Sequence, residues 1–255
     1  MSFALSEILG QVRLFGEVYF LIFLRVGAAM FALPGFGEQM IPVRVRLGVA
    51  LSFSALLLPV LEESFRVQSL NLIHVGLIEI AAGLFIGIIL RTFMHVLQIA
   101  GTIAAQSVSL SQILGPTNSD PVPAIGQIMV LGGVTLLMAL DFHLLLIDYF
   151  LWSYEFWPRG QILPSVLVVE FAIAHVAKAF NFAFSISAPF FIASVIYNLA
   201  LGAINRAMPQ LMVAFVGAPA ITGAGIALLF LTLPLIFVVW IEALTLFLSN
   251  PMADH

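Results

Sequence analysis

The chain has 255 residues, of which 62% are hydrophobic and only 9% are charged, whereas charged residues make up about 25% of an ordinary soluble domain. Nine basic and 13 acidic side chains are too few to coat a water-soluble globule of this size. They also form no dense basic run of the kind that contacts to nucleic-acid phosphates require. Composition and charge therefore exclude a soluble domain and a nucleic-acid-binding protein, and they predict a single polytopic membrane domain over residues 1–255.

The first three apolar runs differ in length. The first extends from Phe15 to Leu33 and is closed by Pro34-Gly35; it is longer than a signal-peptide core and lacks a small-residue cleavage site, so we expect it to be retained as a span. The second extends from Leu47 to Leu61. The third begins at Leu72 and meets no strong breaker until Gly115-Pro116. A helix of that length would measure about 65 Å, about twice the bilayer core, so we expect it to bend, break or project from the membrane.

The second half of the chain contains three more apolar runs. The fourth, Ala124 to Leu151, leads into an aromatic cluster at 149–157 that is typical of the headgroup level of a bilayer. The fifth, Val166 to Met208, is again overlong, and we expect a kink at Pro189. The last extends from Ala220 to Leu248. About six hydrophobic segments are therefore expected, in an all-α fold.

The distribution of basic residues does not predict which way the chain crosses the membrane. With six segments, the positive-inside rule compares the Lys and Arg content of the loops on the two sides. Three arginines fall on each side: Arg44, Arg46 and Arg206 against Arg13, Arg66 and Arg159.

Several ionisable residues lie inside the apolar segments, where each costs about 2.5 to 3.5 kcal/mol on insertion scales. One interpretation is an ion or proton path. The other is that these charges pair across helices or across subunits, because pairs within one helix point in different directions. The residues are Arg25, Glu79, Arg91, Asp141, Asp148, Glu170, Lys178 and Glu242.

Motifs for catalysis, metal binding and cofactor binding are missing from the sequence. The five histidines are scattered without ligand spacing, the chain has no cysteine, and no nucleophile elbow, phosphate-binding loop or dinucleotide-binding turn is present. We therefore expect no enzyme activity, no metal and no cofactor. Gly83-x-x-x-Gly87 indicates a face on which a second helix could pack closely.

Four stretches of the sequence are specific enough to indicate a protein family. They are RVGAAMFALPGFGEQMIPVRVRLGVAL from Arg25, EIAAGLFIGIILRTFMHVLQIAGTIAAQ from Glu79, the Asp120-Pro121 step, and INRAMPQLMVAFVGAPAITGAG from Ile204. In order and spacing they resemble the FliR family, the membrane components of the flagellar export gate that have equivalents in virulence type III secretion. The resemblance covers nearly the whole chain, and overall similarity favours the flagellar branch.

The resemblance implies a fold and a set of partners. Family members join two smaller, multi-copy gate proteins, of the FliP and FliQ types, in a closed helical hetero-oligomer that lies partly above the bilayer. In that setting the overlong helices become kinked hairpins, and the intramembrane charges find partners at interfaces. Other export-apparatus membrane proteins and unfolded export substrates are further partners. The implied location is the bacterial inner membrane at the flagellar basal body.

The resemblance also implies two groups of site residues. A plug of the closed channel is expected in the polar, Gly-Pro-containing segment after the third run, and helix packing or assembly is expected at particular loops, glycines and charges. The plug residues are Gln106, Val108, Leu110, Ile113, Leu114, Gly115 and Pro116. The assembly residues are Arg25, Pro34, Pro42, Arg46, Glu79, Gly83, Gly87, Arg206, Pro209, Gln210, Gly217 and Pro219, the last two in an expected turn.

A self-contained, ion-coupled secondary transporter is the alternative. Such a protein would use the buried carboxylates for coupling and a discontinuous helix near Pro189 as its binding site. Transporter folds often contain internal repeats, and none is visible in this sequence. The two hypotheses predict different assemblies: a gate subunit belongs to a large hetero-oligomer, whereas a transporter is a monomer or a small homo-oligomer.

Overall fold

A computed structural model describes residues 2–38, 41–61, 72–109, 124–208 and 213–251. Within these ranges every regular element is an α-helix, which confirms the predicted all-α class. The helices are α1 (Ser2–Ala32), α2 (Val43–Leu61), α3 (Leu72–Ser109), α4 (Ala124–Ala139), α5 (Phe142–Phe156), α6 (Ser165–Ala207) and α7 (Val213–Ser249).

Five segments of these helices are long and apolar enough to cross a membrane: Phe15–Ala32, Val43–Leu61, Leu72–Ser107, Ser165–Ala207 and Ala220–Ser249. The α4–α5 pair together makes a sixth candidate, which is bent at its break. The count agrees with the prediction of about six hydrophobic segments.

The fourth apolar run is not one helix, and the prediction of a continuous segment from Ala124 to Leu151 is wrong. The helix breaks between Ala139 and Phe142, where Asp141 has φ 53° in the left-handed region. Aspartate tolerates this conformation better than most residues, so an apolar run without glycine or proline can still turn here. Asp141 therefore lies at the start of α5.

Proline interrupts the helices of the second half less than the sequence predicts. Helix α6 continues through Pro189, so the discontinuous helix of the transporter hypothesis is not present. The expected turn at Gly217 to Pro219 is also wrong, because α7 begins at Val213 and includes both residues. Proline is tolerated in the helices of membrane proteins, where neighbouring groups can satisfy the freed backbone carbonyl.

One compact unit, unit 1, comprises residues 1–91, 137–173 and 248–255. It contains α1, α2, the first half of α3, α5 and the start of α6. Its core includes Leu21, Ile22, Leu57 and Ile86, all fully or almost fully buried. Most of the predicted assembly residues lie in this unit.

The other compact unit, unit 2, comprises residues 92–136 and 174–247. Trp240 is fully buried here, and its indole Nε1 donates to the carbonyl of Phe93 at 2.8 Å. Helices α3 and α4 approach closely at a glycine pair, because a Cβ added to Gly101 would meet the backbone of Gly126. Small residues at helix crossings are typical of membrane proteins.

Candidate functional site

A buried ion pair joins α1 and α3 in unit 1. Arg25 Nε lies 2.6 Å from Glu79 Oε2, and both side chains are completely inaccessible to solvent. A buried charge needs a partner and further hydrogen bonds to offset its desolvation. These two residues belong to the set of intramembrane charges, and the partner of Glu79 comes from another helix, as the helical geometry predicts.

Arg25 also binds the C-terminal end of α5. Its Nη1 donates to the carbonyl of Ser153 at 2.9 Å, and its Nη2 donates to the carbonyl of Trp157 at 2.9 Å. The ring of Tyr154 lies below the guanidinium, 3.7 Å from Cζ to the ring centroid. A helix C-terminus carries unpaired carbonyls and a partial negative charge, both of which favour a cation. Arg25, Glu79, Ser153, Tyr154 and Trp157 are called the Arg25 centre below.

The Arg25 centre depends on two glycines of α3. A Cβ on Gly83 would clash with the carbonyl oxygen of Arg25 and would lie 2.9 Å from its carbonyl carbon. A Cβ on Gly87 would lie 2.7 Å from the carbonyl oxygen of Ala29. Both obstacles are backbone atoms, so no side-chain rotation can relieve the contact. The absence of side chains at Gly83 and Gly87 therefore sets the distance at which α1 and α3 cross.

The segment between α1 and α2 is held by arginine and glycine. Arg46 donates from Nε to the carbonyl of Phe36 at 2.9 Å and from Nη2 to the carbonyl of Glu38 at 3.1 Å. Pro34 is buried and precedes Gly35, whose φ of 76° favours glycine. The carbonyl of Pro42 accepts the first backbone bonds of α2, from Val45 and Arg46. The structure thus links Arg46 to Pro42 directly, and Pro34 lies two residues before Phe36, whose carbonyl Arg46 binds.

The predicted plug lies mostly outside the described residues. Leu110, Ile113, Leu114, Gly115 and Pro116 fall there, as does the side chain of Val108, whose backbone belongs to α3. Gln106 is exposed near the end of α3. It lines an open cleft of about 580 Å³ within unit 2, together with Ser107 of α3 and Phe191, Ser194 and Asn198 of α6.

Arg206 is exposed in the last turn of α6, as the sequence predicts for a cation at a helix C-terminus. Pro209 and Gln210 lie outside the described residues. Gly217 and Pro219 lie in α7, away from any turn. Within the described part of unit 2, Arg206 forms no ion pair.

The remaining acidic residues of the apolar segments form no metal-binding cluster within the described ranges. Asp148, Glu170 and Glu242 are exposed on their helices. His175 is buried and lies 2.7 Å from the hydroxyl of Thr92, which is the environment of an interior histidine. Across the described ranges, no three histidine or acidic side chains come close enough to hold a metal ion.

Sequence reasoning missed three members of the Arg25 centre: Ser153, Tyr154 and Trp157. The aromatic cluster that contains them was expected at the headgroup level, but Tyr149 and Phe150 are almost completely buried in unit 1. The cluster is a packing layer, in which Trp152 stacks on Phe156 with centroids 5.3 Å apart. One feature of the sequence could have indicated these residues: the cluster lies at a helix end before Pro158, where free backbone carbonyls attract a cation.

Comparison with known proteins gives consistent matches over most of the chain. The profile of the family described as bacterial export proteins, family 1, matches residues 17–246. The flagellar biosynthetic protein FliR of Caulobacter vibrioides is 34% identical over 87% of this chain and 90% of its own length. The FliR proteins of Bacillus subtilis and Escherichia coli are each 27% identical, over 87% and 86% of this chain and 88% and 85% of their own lengths.

Proposed function

Because this chain belongs to the FliR family of bacterial export proteins, we propose that it forms part of the entrance channel of the flagellar protein export gate and contributes its closing plug. The chain is a multi-pass inner-membrane subunit of the flagellar export apparatus. The family match over residues 17–246 is the observation that carries the proposal. The transporter alternative is not favoured, since α6 has no break at Pro189.

The partners in this proposal are the two smaller gate proteins of the FliP and FliQ types, other export-apparatus membrane proteins and the unfolded substrates. Helices α6 and α7 carry large apolar side chains that are more than half exposed, such as Ile196, Leu199, Phe230 and Leu231. Among them lie exposed charges, including Glu170, which lipid tails would not stabilise. A hetero-oligomer would bury the apolar faces and pair such charges.

The proposed role is that of a conduit, without catalysis. Unit 1 supplies a rigid element, because the Arg25 centre fixes α1, α3 and α5 to one another through an ion pair and two carbonyl contacts. A channel subunit needs such rigidity to keep its place in a ring while substrates pass. No step of the proposed role requires a bond to form or break in the substrate.

Purification of the tagged chain in mild detergent tests the assembly part of the proposal. A gate subunit should copurify with the two smaller gate proteins in a particle several times heavier than the 27.6 kDa chain. A monomer or small homo-oligomer that still supports motility would contradict the proposal and favour a self-contained transporter.

The plug part of the proposal concerns Gln106, Val108, Leu110, Ile113, Leu114, Gly115 and Pro116. A protein-conducting pore must stay closed to ions when idle, because a leak would dissipate a membrane potential worth about 2.3 kcal/mol per charge per 100 mV. The segment is polar, contains Gly115-Pro116 and is too irregular in sequence to face lipid. Its four aliphatic residues are suited to excluding water from a narrow lumen.

Deletion of residues 107–114 tests the plug. The shortened protein should assemble in normal yield, because the Arg25 centre lies elsewhere in the chain, while cells that express it become permeable to small ions. A deletion of the same length within residues 2–9 of α1 controls for shortening of the chain. An assembled 107–114 deletion with unchanged membrane conductance would contradict the plug.

A further inference from the structure

A groove of about 310 Å³ opens on unit 1 between α1, α2 and the first half of α3. Its lining is almost entirely carbon and includes the aromatic rings of Phe23 and Phe31 and the side chains of Leu47 and Leu84. Phe31 and Leu47 are about half exposed. Gly27 forms part of the lining and leaves space, since a Cβ there would make only an ordinary contact with Phe23 at 3.7 Å.

Among the described residues, Arg46 is the one charged residue that lines this groove. Two of its guanidinium nitrogens, Nε and Nη2, already donate to the carbonyls of Phe36 and Glu38. These bonds hold the side chain, and its guanidinium lies 5.2 Å from the ring centroid of Phe31. The third nitrogen, Nη1, makes no hydrogen bond to any residue in the described ranges, so its two N–H groups have no acceptor among those residues.

The position of Arg46 along the chain places this cation at a membrane boundary. The candidate spans Phe15–Ala32 and Val43–Leu61 both end at the intervening segment, so the ends that meet there lie on the same side of the bilayer. Arg44 and Arg46 are in the first turn of α2. Basic residues at such boundaries lie at the depth of the lipid phosphates, while the groove runs beside helices that cross the hydrocarbon region.

We propose that this groove is a binding site for one anionic phospholipid, with an acyl chain in the groove and a phosphate oxygen accepting hydrogen bonds from Arg46 Nη1. The apolar lining matches the hydrocarbon chain, and the single fixed cation matches the headgroup. This site does not depend on the proposed channel function, because it follows from α1, α2 and α3 of one chain.

A lipid fits the groove better than a protein segment does. An extended peptide would need partners for its backbone N–H and C=O groups, and the lining offers carbon atoms in their place. The volume lies at the lower end of ligand sites, which is suitable for part of a single slender chain.

The test is lipid retention by the intact export complex, measured by native mass spectrometry in detergent with added phosphatidylglycerol or phosphatidylcholine. The wild-type complex should retain phosphatidylglycerol in preference to phosphatidylcholine. Arg46→Gln should lower the ratio of retained phosphatidylglycerol to phosphatidylcholine by about fivefold, the factor that one basic residue contributes near an anionic surface. Arg46→Lys should keep more of that preference, because the charge remains.

Filling the groove provides a second arm that leaves Arg46 intact. Gly27→Leu should reduce retention of both lipids, whereas Gly48→Leu is the matched control, since a Cβ at Gly48 meets no atom within 4 Å and Gly48 does not line the groove. If Gly27→Leu prevents assembly, Gly27→Ala takes its place in the retention measurement. The ratio of retained phosphatidylglycerol to phosphatidylcholine in the Arg46→Gln complex then decides whether the lipid binds in the groove.

Three results would overturn the proposal. The first is an unchanged headgroup ratio in an assembled Arg46→Gln complex. The second is equal lipid retention by Gly27→Leu and Gly48→Leu. The third is a specific cross-link from the Gly27→Cys variant to a partner subunit, which would show that a protein segment occupies the groove.

Discussion

Substitution of Gly83 by alanine tests whether the crossing of α1 and α3 is as close as the structure shows. The added Cβ would lie 2.9 Å from the carbonyl carbon of Arg25 and 3.0 Å from the Cβ of Ala28. Carbon atoms pack at about 3.5–4.0 Å, so the two helices would have to separate by about 1 Å. Forced overpacking of this kind costs about 1–3 kcal/mol.

The separation would also act on the Arg25–Glu79 pair. The two side chains meet at 2.6 Å directly beside this crossing, and Gly83 follows Glu79 by one helical turn. Lengthening a buried, charge-assisted hydrogen bond leaves both charges poorly compensated. The effect of Gly83→Ala should therefore exceed that of overpacking alone, and Gly83→Leu should be more severe.

A graded set of glycine variants makes the experiment specific. Gly76→Ala meets only the flexible end of Leu24 at 3.0 Å and should have a small effect, while Gly87→Ala meets the carbonyl oxygen of Ala29 at 2.7 Å and should be intermediate. Gly48→Ala meets nothing within 4 Å and serves as the control.

The assay is the apparent melting temperature of the detergent-solubilised complex, followed by size-exclusion chromatography after heating. At about 2–4 °C per kcal/mol for a chain of this size, overpacking alone should lower the melting temperature of Gly83→Ala by about 2–12 °C relative to Gly48→Ala, and the weakened ion pair should lower it further. Equal melting temperatures for Gly83→Ala, Gly83→Leu and Gly48→Ala would show that α1 and α3 do not pack as described, and would refute the reasoning.

Two further predictions concern charges. Arg25→Met or Glu79→Leu alone should lower the stability of the chain by about 3–5 kcal/mol and lower the recovery of the complex, because each leaves one buried charge unpaired. The double variant should recover part of this loss. Additive losses of the two single variants in the thermal assay would contradict the ion pair. Arg206→Ala should reduce copurification of the partner proteins without changing the melting temperature of the chain itself. The control is Arg13→Ala, which removes a largely exposed charge paired with Glu17 and should change neither quantity. Normal recovery of the complex and normal motility with Arg206→Ala would contradict an assembly role.

The extent of the helices could be predicted well from the sequence. The run from Leu72 predicts a single overlong helix, and α3 extends over 38 residues from that position. The first candidate span, Phe15–Ala32, ends one residue before the predicted limit at Leu33. Apolar runs bounded by Pro and Gly define helices in membrane proteins because every backbone group must be satisfied within the segment.

The break before α5 could not be predicted in the same way. Its residues, Leu140 and Asp141, contain neither glycine nor proline, and the left-handed conformation of Asp141 is a property of the folded structure. Proline at 219 gave the opposite error, because it lies within α7 and not in a turn. Local sequence rules describe the free-energy cost of a turn or of a proline within a helix, but tertiary packing decides whether other interactions offset that cost.

The candidate site could be predicted in part. Glu79, Gly83 and Gly87 lie on one helix face by spacing alone, and the need of a buried carboxylate for a partner follows from its insertion cost. The identity of that partner does not follow, because Arg25 is 54 residues away in the sequence. The carbonyls of Ser153 and Trp157 could be anticipated only as belonging to a helix end before Pro158, because no residue type identifies which backbone acceptors bind a given cation.

Protein export by cells that lack this chain tests the central claim most directly. We predict that a strain without the gene releases no flagellar export substrate into the medium, that the wild-type gene restores release, and that Arg25→Met restores it poorly while Gly48→Ala restores it fully. Normal release of export substrates by the strain without the gene would contradict the assignment of this chain to the export gate.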